Sequence, residues 1–192
     1  MQLLFATHNQ NKVNELRKKV PSSIDLISLQ DINFNEEIEE TGTTIEANAL
    51  LKAQFIFEKF KKPCIADDTG LEVEALNGEP GVYSARYAGS DKSDVANMQK
   101  LLQNLDSKAN RNARFKSVIA YCDGNSTFIF EGIISGKIGF KQIGTNGFGY
   151  DPIFIPDGFN KTFAQMSMDE KNTISHRAIA VTKFLDFIAK TQ

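Results

Sequence analysis

The chain has 192 residues, 41% hydrophobic and 24% charged, and its 22 Lys and Arg against 24 Asp and Glu give a net charge of -2. These values fit one ordinary globular domain with room for two lobes, and they exclude a general nucleic-acid binder, which carries a basic excess. Cys64 and Cys122 both fall in apolar runs and read as free core thiols of a reducing compartment. Met1–Ala6 is too short for a signal sequence and no apolar stretch is long enough to span a membrane, so a cytoplasmic protein is expected.

Leu3-Leu4-Phe5-Ala6 predicts a short apolar strand. The polar run Thr7-His8-Asn9-Gln10-Asn11-Lys12 follows, then Val13, Leu16 and Val20 at helical spacing. A loop at a helix N-terminus offers free backbone N–H groups and a positive dipole end, which suit an anion. Lys12 lies near the first turn, where a cation is locally unfavourable, so a ligand is one reason for it. An Asn-capped helix with a solvated Lys is the other. Ile24–Ile27 predicts a second strand. The acidic run Glu36-Glu37-Ile38-Glu39-Glu40 superficially matches the paired glutamates of all-helical nucleoside triphosphate pyrophosphatases, but Thr41-Gly42-Thr43 stops any helix here. It is either a solvated acidic loop or the source of a magnesium ligand at Glu39 or Glu40.

Thr43-Thr44-Ile45-Glu46 fits a capping box and opens a helix with an apolar stripe at Leu50, Leu51 and Phe55. Asn48 and Lys52 share one face of it. Pro63 leads into Cys64-Ile65-Ala66, which predicts a strand buried on both faces, stopping abruptly at Asp67-Asp68-Thr69-Gly70. Carboxylates there need a cation or hydrogen bonds, and ligands in α/β sheets sit beyond the carboxyl ends of strands. A metal- or phosphate-handling site is expected at Asp67-Asp68-Thr69, with a plain turn as the alternative. Strand alternation sends the two carboxylates to opposite sides, so only one faces a given cleft.

Gly78-Glu79-Pro80-Gly81 predicts a turn, and Arg86 beyond it suits either a phosphate contact or an ion pair. Ser93 caps a helix to about Asn104. Phe115–Tyr121 and Phe128–Ile134 predict two strands joined at Asp123-Gly124-Asn125 as a hairpin, so the sheet is expected to be mixed. Gly144-Thr145-Asn146-Gly147-Phe148-Gly149-Tyr150-Asp151-Pro152 is neither a P-loop nor a dinucleotide fingerprint. Its glycines let a ligand approach the backbone while Phe148 or Tyr150 stacks on it; a turn with core aromatics is the alternative. Met166–Asn172 reads as short and polar. Ser175-His176-Arg177 then opens a final helix with Ala180, Val181, Phe184, Leu185 and Ile188 inward. His176, kept neutral by the dipole, and Arg177 offer donors suited to reading a base, although a lone His at a helix start is often structural. With His8 and His176 the only histidines, no zinc pattern exists.

In order and spacing, these stretches resemble the inosine triphosphate pyrophosphatase family, the XTP/dITP diphosphatases, over essentially the whole chain. The matching runs are Thr7–Lys12, Glu39–Gly42, Glu46–Ala53, Ile65–Leu71, Pro80–Tyr87, Gly147–Pro152, and Glu170-Lys171-Asn172 through Ser175-His176-Arg177. His8 stands where many members have a small residue, and Thr69 replaces the commoner serine. The resemblance implies a single domain, 1–192, with an elongated mixed α/β fold, flanking helices, and two lobes around a central nucleotide-binding cleft. It also implies a cytoplasmic homodimer. The implied reaction is Mg²⁺-dependent cleavage of dITP, ITP or XTP between the α and β phosphates. Glu39 or Glu40 with Asp68 would hold the metal. Lys12 and Lys52 would meet the phosphates with Thr7 and Asn9 donating hydrogen bonds, and His8, Gln10 and Asn11 would also bind the substrate. Asp68 would be the general base, or would orient the water, since a carboxylate beside Mg²⁺ is a weak base. Phe148 would stack on the purine, His176 and Arg177 would read it, and Thr69, Gly149, Tyr150, Asp151 and Lys171 would surround the nucleotide. The rivals are a Maf-type pyrophosphatase of other base specificity and a non-catalytic nucleotide-sensing module. A Nudix hydrolase is excluded because no Arg-Glu dipeptide occurs.

Overall fold

In the computed structural model, which describes residues 1–191, the chain runs β1 (Gln2–Phe5), α1 (Gln10–Arg17), β2 (Asp25–Ser28), α2 (Ile45–Phe60), β3 (Cys64–Val73) and β4 (Pro80–Gly81). It continues as α3 (Asp94–Asn104), β5 (Asn112–Cys122), β6 (Thr127–Ile138), β7 (Phe154–Pro156), α4 (Met168–Ile174) and α5 (His176–Thr191). Strand order is β2-β1-β3-β5-β6-β7, with β4 paired to β3. β1 lies parallel to β2 and β3, in register Leu3 with Leu26 and Leu4 with Cys64, whereas the β3–β4 and β6–β7 pairs are antiparallel. The mixed α/β fold expected from the sequence is therefore present.

The chain divides into two compact units. The first comprises Met1–Asp68, Ser117–Gly132 and the chain from Ile179; the second comprises Thr69–Lys116 and Ile133–Ala178. Each has its own apolar core. Leu3, Phe5, Leu16, Ile65, Ile119 and Phe184 are central to the first, and Leu71, Leu101, Phe115, Phe154 and Phe163 to the second. The unbroken apolar run of β1 follows from its place between two parallel neighbours, where both faces need burial.

Local chemistry sets most element ends. Asn9 caps α1, its Oδ1 accepting from the N–H groups of Asn11 and Lys12. Ser93 caps α3 as expected. Asp123 Oδ1 accepts from the Asn125 and Ser126 N–H groups and folds the β5–β6 turn, where Gly124 takes φ +96°.

Three expectations need correction. β3 does not stop at the carboxylates: it runs through Asp67-Asp68-Thr69-Gly70 to Val73. Both carboxylates are compensated within the fold, so the strand continues into the apolar Leu71 and Val73, each fully buried. The α2 cap is Thr44, which accepts from the Ala47 N–H, one residue later than the capping-box pattern placed it. Residues 168–174 form a short helix, capped by Ser167, where the sequence suggests only a polar segment. Among the described residues no helix is long and apolar enough to cross a membrane.

Cys64, fully buried on β3, donates its thiol to the Ala53 carbonyl at 2.9 Å. Burial pushes this thiol from its ordinary 9.0 up to about 12. The folded protein then holds the proton more tightly than the unfolded chain, so stability is complete below the ordinary value and falls as pH rises through this window. Urea unfolding followed from pH 8 to about 11 should show that decline, and Cys64→Ala should flatten it. Identical slopes in the two proteins would contradict this role for Cys64.

Candidate active site

In the first unit, α2 and β3 bring charged side chains together. Lys52 Nζ donates to Glu40 Oε1 at 2.7 Å, to Asp68 Oδ1 at 2.7 Å and to the Asp67 carbonyl at 3.0 Å. Lys12, from α1, reaches the same carbonyl at 3.3 Å and lies 3.4 Å from Asp67 Oδ1. Ser117 Oγ on β5 donates to Asp67 Oδ1 at 3.2 Å. The adjacent carboxylates thus take different partners, as alternation along a strand requires. Burial works against the Lys52 ammonium, but Asp68 and Glu40 outweigh it and hold its pKa above the ordinary value. Burial raises the Asp68 pKa by more than Lys52 and Lys12 lower it, and Glu40 adds to the rise.

The loop before α1 uses much of its polarity on itself. Thr7 Oγ1 accepts from the Asn9 N–H, and the side-chain Oδ1 of Asn9 is committed to capping. Gln10 donates to Asn14, and Asn11 is exposed. His8 stacks on Phe34 at 6.1 Å, and its Nε2 lies 3.0 Å from the Glu36 carbonyl oxygen. Glu40 is half-buried and Glu39 exposed. Among the described residues no three His, Cys, Asp or Glu gather closely enough to hold a metal unaided. Glu40 and Asp68 do converge on one ammonium. Two carboxylates suffice for Mg²⁺ when phosphate oxygens and waters complete its shell, so this donor set fits.

In the second unit, residues 147–151 form a tight turn. The Phe148 N–H donates to Asp151 Oδ2 at 2.9 Å, and the same oxygen accepts from Lys171 Nζ at 2.7 Å. Gly147 holds φ +77°, and a Cβ there would lie 2.0 Å from Asp151 Oδ2, so no side chain fits. The Gly149 N–H donates to Asp94 Oδ2 at 2.7 Å. Phe148 is half-buried, with Lys171 Nζ 5.0 Å and Arg177 Cζ 5.5 Å from its ring centre. Arg177 Nη2 donates to Thr69 Oγ1 at 3.2 Å. His176 packs parallel to Phe115 with ring centres 4.6 Å apart; its Nδ1 is enclosed and makes no hydrogen bond among the described residues. Tyr150 is buried with its hydroxyl donating to the Ser84 carbonyl, and burial pushes its pKa up, so its polar end is engaged in the fold. Arg86 is half-buried in the short turn 84–86.

Of the expected residues, Lys12, Glu40, Lys52, Asp67 and Asp68 contact one another in the first unit, and Thr69, Phe148, Asp151, Lys171 and Arg177 in the second, whereas His8, Gln10, Asn11, Glu39 and Tyr150 make none of these contacts. The consecutive residues Asp68 and Thr69 of β3 belong one to each. Sequence reasoning missed Ser117, a hydroxyl in an apolar strand, and Asp94, whose place in the first turn of α3 gives it an ordinary explanation.

A profile of the Ham1 family matches residues 3–187. A dITP/XTP pyrophosphatase of Christiangramia forsetii is 52% identical, covering 99% of this chain and 100% of that relative. Another of Flavobacterium psychrophilum is 54% identical, covering 97% and 98%. The solved structure of the Staphylococcus aureus Ham1 protein superposes with a TM-score of 0.92 at 42% identity, covering both chains in full.

The Asp151–Lys171 pair is buried, at 2% and 4% exposure, and its loss should be costly. Asp151→Ala should destabilise the protein by about 3–5 kcal/mol in urea unfolding, because it removes the carboxylate facing a buried ammonium. Adding Lys171→Met should recover part of that loss. A single-variant loss below about 1 kcal/mol would contradict the pair's role.

Proposed function

The chain belongs to the Ham1 family, and on that premise we propose that it hydrolyses dITP, ITP and XTP between the α and β phosphates, giving a nucleoside monophosphate and pyrophosphate. The observation that carries this reading is the buried Lys52 ammonium shared by Glu40 and Asp68. A triphosphate must be neutralised before water can attack it, and catalysis of such transfers is largely positioning and electrostatics. Lys12 and Lys52 serve as point charges for phosphate oxygens. The Thr7 hydroxyl and the Asn9 amide supply hydrogen-bond donors, and the remaining N–H groups of the 7–12 loop lie where an anion is favoured.

Asp68, with Glu40 or Glu39, would hold Mg²⁺ together with phosphate oxygens. Bound there, the ion would polarise those oxygens and withdraw charge from the breaking bond. Asp68 accepts the proton of the attacking water or orients it. Asp67 holds Lys12 in place, and Ser117 fixes Asp67.

Phe148 stacks on the purine, and Lys171 and Asp151 brace its turn. Hypoxanthine and xanthine present a 6-oxo acceptor where adenine presents an amino donor. Arg177 and His176 offer donors, so adenine would leave buried polar groups unpaired, which is a strong source of discrimination. Gly149 lets the nucleotide approach the backbone, and Thr69 and Tyr150 complete the surroundings. The family reading carries with it a homodimer and a cytoplasmic location.

A panel of dITP, XTP, dGTP, dATP and dTTP with Mg²⁺ tests this function. Pyrophosphate release from dITP and XTP should exceed that from dATP by at least about a hundredfold. Orthophosphate as the direct product would overturn the site of cleavage, and comparable turnover of dATP would overturn the base reading.

A further inference from the structure

The turn that carries Phe148 has an unusual backbone. Glycines flank the ring-bearing residue on both sides, and both adopt left-handed conformations, φ +77° at Gly147 and +62° at Gly149. Glycine has access to much more of backbone space than any other residue. A ring set between two such positions keeps a fixed plane only if the backbone around it is tied down.

Two consecutive N–H groups, those of Phe148 and Gly149, each end on a carboxylate. The Phe148 N–H meets Asp151, three residues away in the same turn. That bond shapes the turn, and the same Asp151 oxygen is held by Lys171 of α4 at 2.7 Å. The Gly149 N–H meets Asp94, 55 residues away in the chain, at 2.7 Å. Asp94 stands in the first turn of α3, whose Ser93 cap is in place and whose Met98 and Leu101 are buried in the second unit's core. The positive end of that helix also favours a carboxylate at this position. Hydrogen bonds to an ionised acceptor are stronger than those between neutral groups. The Asp94 bond adds a tie to a second, longer helix anchored in the core, on the Gly149 side of the ring.

We propose that Asp94 is a positioning residue for the base, fixing the plane of the Phe148 ring through the Gly149 N–H. The proposal rests on the reading of Phe148 as the purine-stacking residue. Asp94 touches no substrate atom, so its removal should weaken base binding and leave the chemistry at the phosphates alone.

Steady-state kinetics with dITP test this in Asp94→Ala, Asp94→Asn, Phe148→Leu and the Asp94→Ala/Phe148→Leu double variant, with thermal midpoints measured alongside. Asp94→Ala should raise KM about 5- to 20-fold with kcat within about twofold, since one charge-assisted hydrogen bond is lost and the phosphate end is untouched. Asp94→Asn keeps an acceptor oxygen and should restore most of the wild-type KM. In the Phe148→Leu background, Asp94→Ala should change KM by less than about twofold, because two residues acting through one ring do not add. If Asp94→Ala leaves KM unchanged while Phe148→Leu raises it, the positioning role is overturned and the stacking reading stands. Full additivity in the double variant, or a fall in kcat with KM unchanged, also overturns it. If Phe148→Leu itself leaves KM unchanged, the stacking reading fails and the proposal falls with it.

Discussion

A buried ammonium, Lys52 Nζ, is the interaction on which the first unit's site depends. It is enclosed by two carboxylates and a carbonyl, at 2.7, 2.7 and 3.0 Å. Each partner makes burial of the others tolerable. An isolated charge in such a place would carry a desolvation cost of several kcal/mol or more, and the pairing offsets much of it. The consequence reaches beyond the cluster. Because Asp67 and Asp68 are compensated by Lys12 and Lys52, β3 stays extended through four polar or small residues and resumes as apolar strand at Leu71. One strand therefore carries Asp68 as the last residue of the first unit and Thr69 as the first residue of the second.

The second cluster is built on a similar economy of charge. Asp151 is shared between a backbone N–H and Lys171, and Lys171 in turn lies 5.0 Å from the Phe148 ring centre. The carboxylate thus shapes the turn and holds a cation beside an aromatic ring, a favourable arrangement of ammonium and π-system. Gly147 is obligatory because the Asp151 carboxylate occupies the space a side chain would need.

Much of this was legible in the residues themselves. Local rules were enough for β1, the Ser93 cap and the Asp123-Gly124 turn, because each is settled by a few adjacent side chains. They failed where a distant partner decides. Asp67-Asp68-Thr69-Gly70 has the composition of a turn, and only the reach of Lys12 and Lys52 from two helices makes it strand. The choice between Thr43 and Thr44 as cap turns on one residue of chain path, which two adjacent threonines leave undetermined. The helix at 168–174 did carry a signal, Ser167 followed three residues on by Glu170, but the segment is too short for periodicity to show. For the candidate site, residue types and their order singled out Lys12, Asp67-Asp68, Phe148 and Arg177 as candidates, and the family resemblance chose Asp68 over Asp67 and gave Lys52 its role. Ser117 and Asp94 act through other residues, and nothing in their immediate sequence distinguishes them from an ordinary strand hydroxyl and an ordinary helix-start carboxylate.

The central claim is a division of labour: the Lys52 cluster serves the phosphates and the Arg177 cluster selects the base. The most direct measurement is the ratio of kcat/KM for dITP to that for dATP in wild type, Lys52→Gln and Arg177→Met. Lys52→Gln, which keeps a donor for the two carboxylates, should lower both substrates by about a hundredfold or more and keep the ratio within about threefold. Arg177→Met should collapse the ratio by lowering dITP alone. A ratio that collapses in Lys52→Gln, or survives in Arg177→Met, would contradict the division.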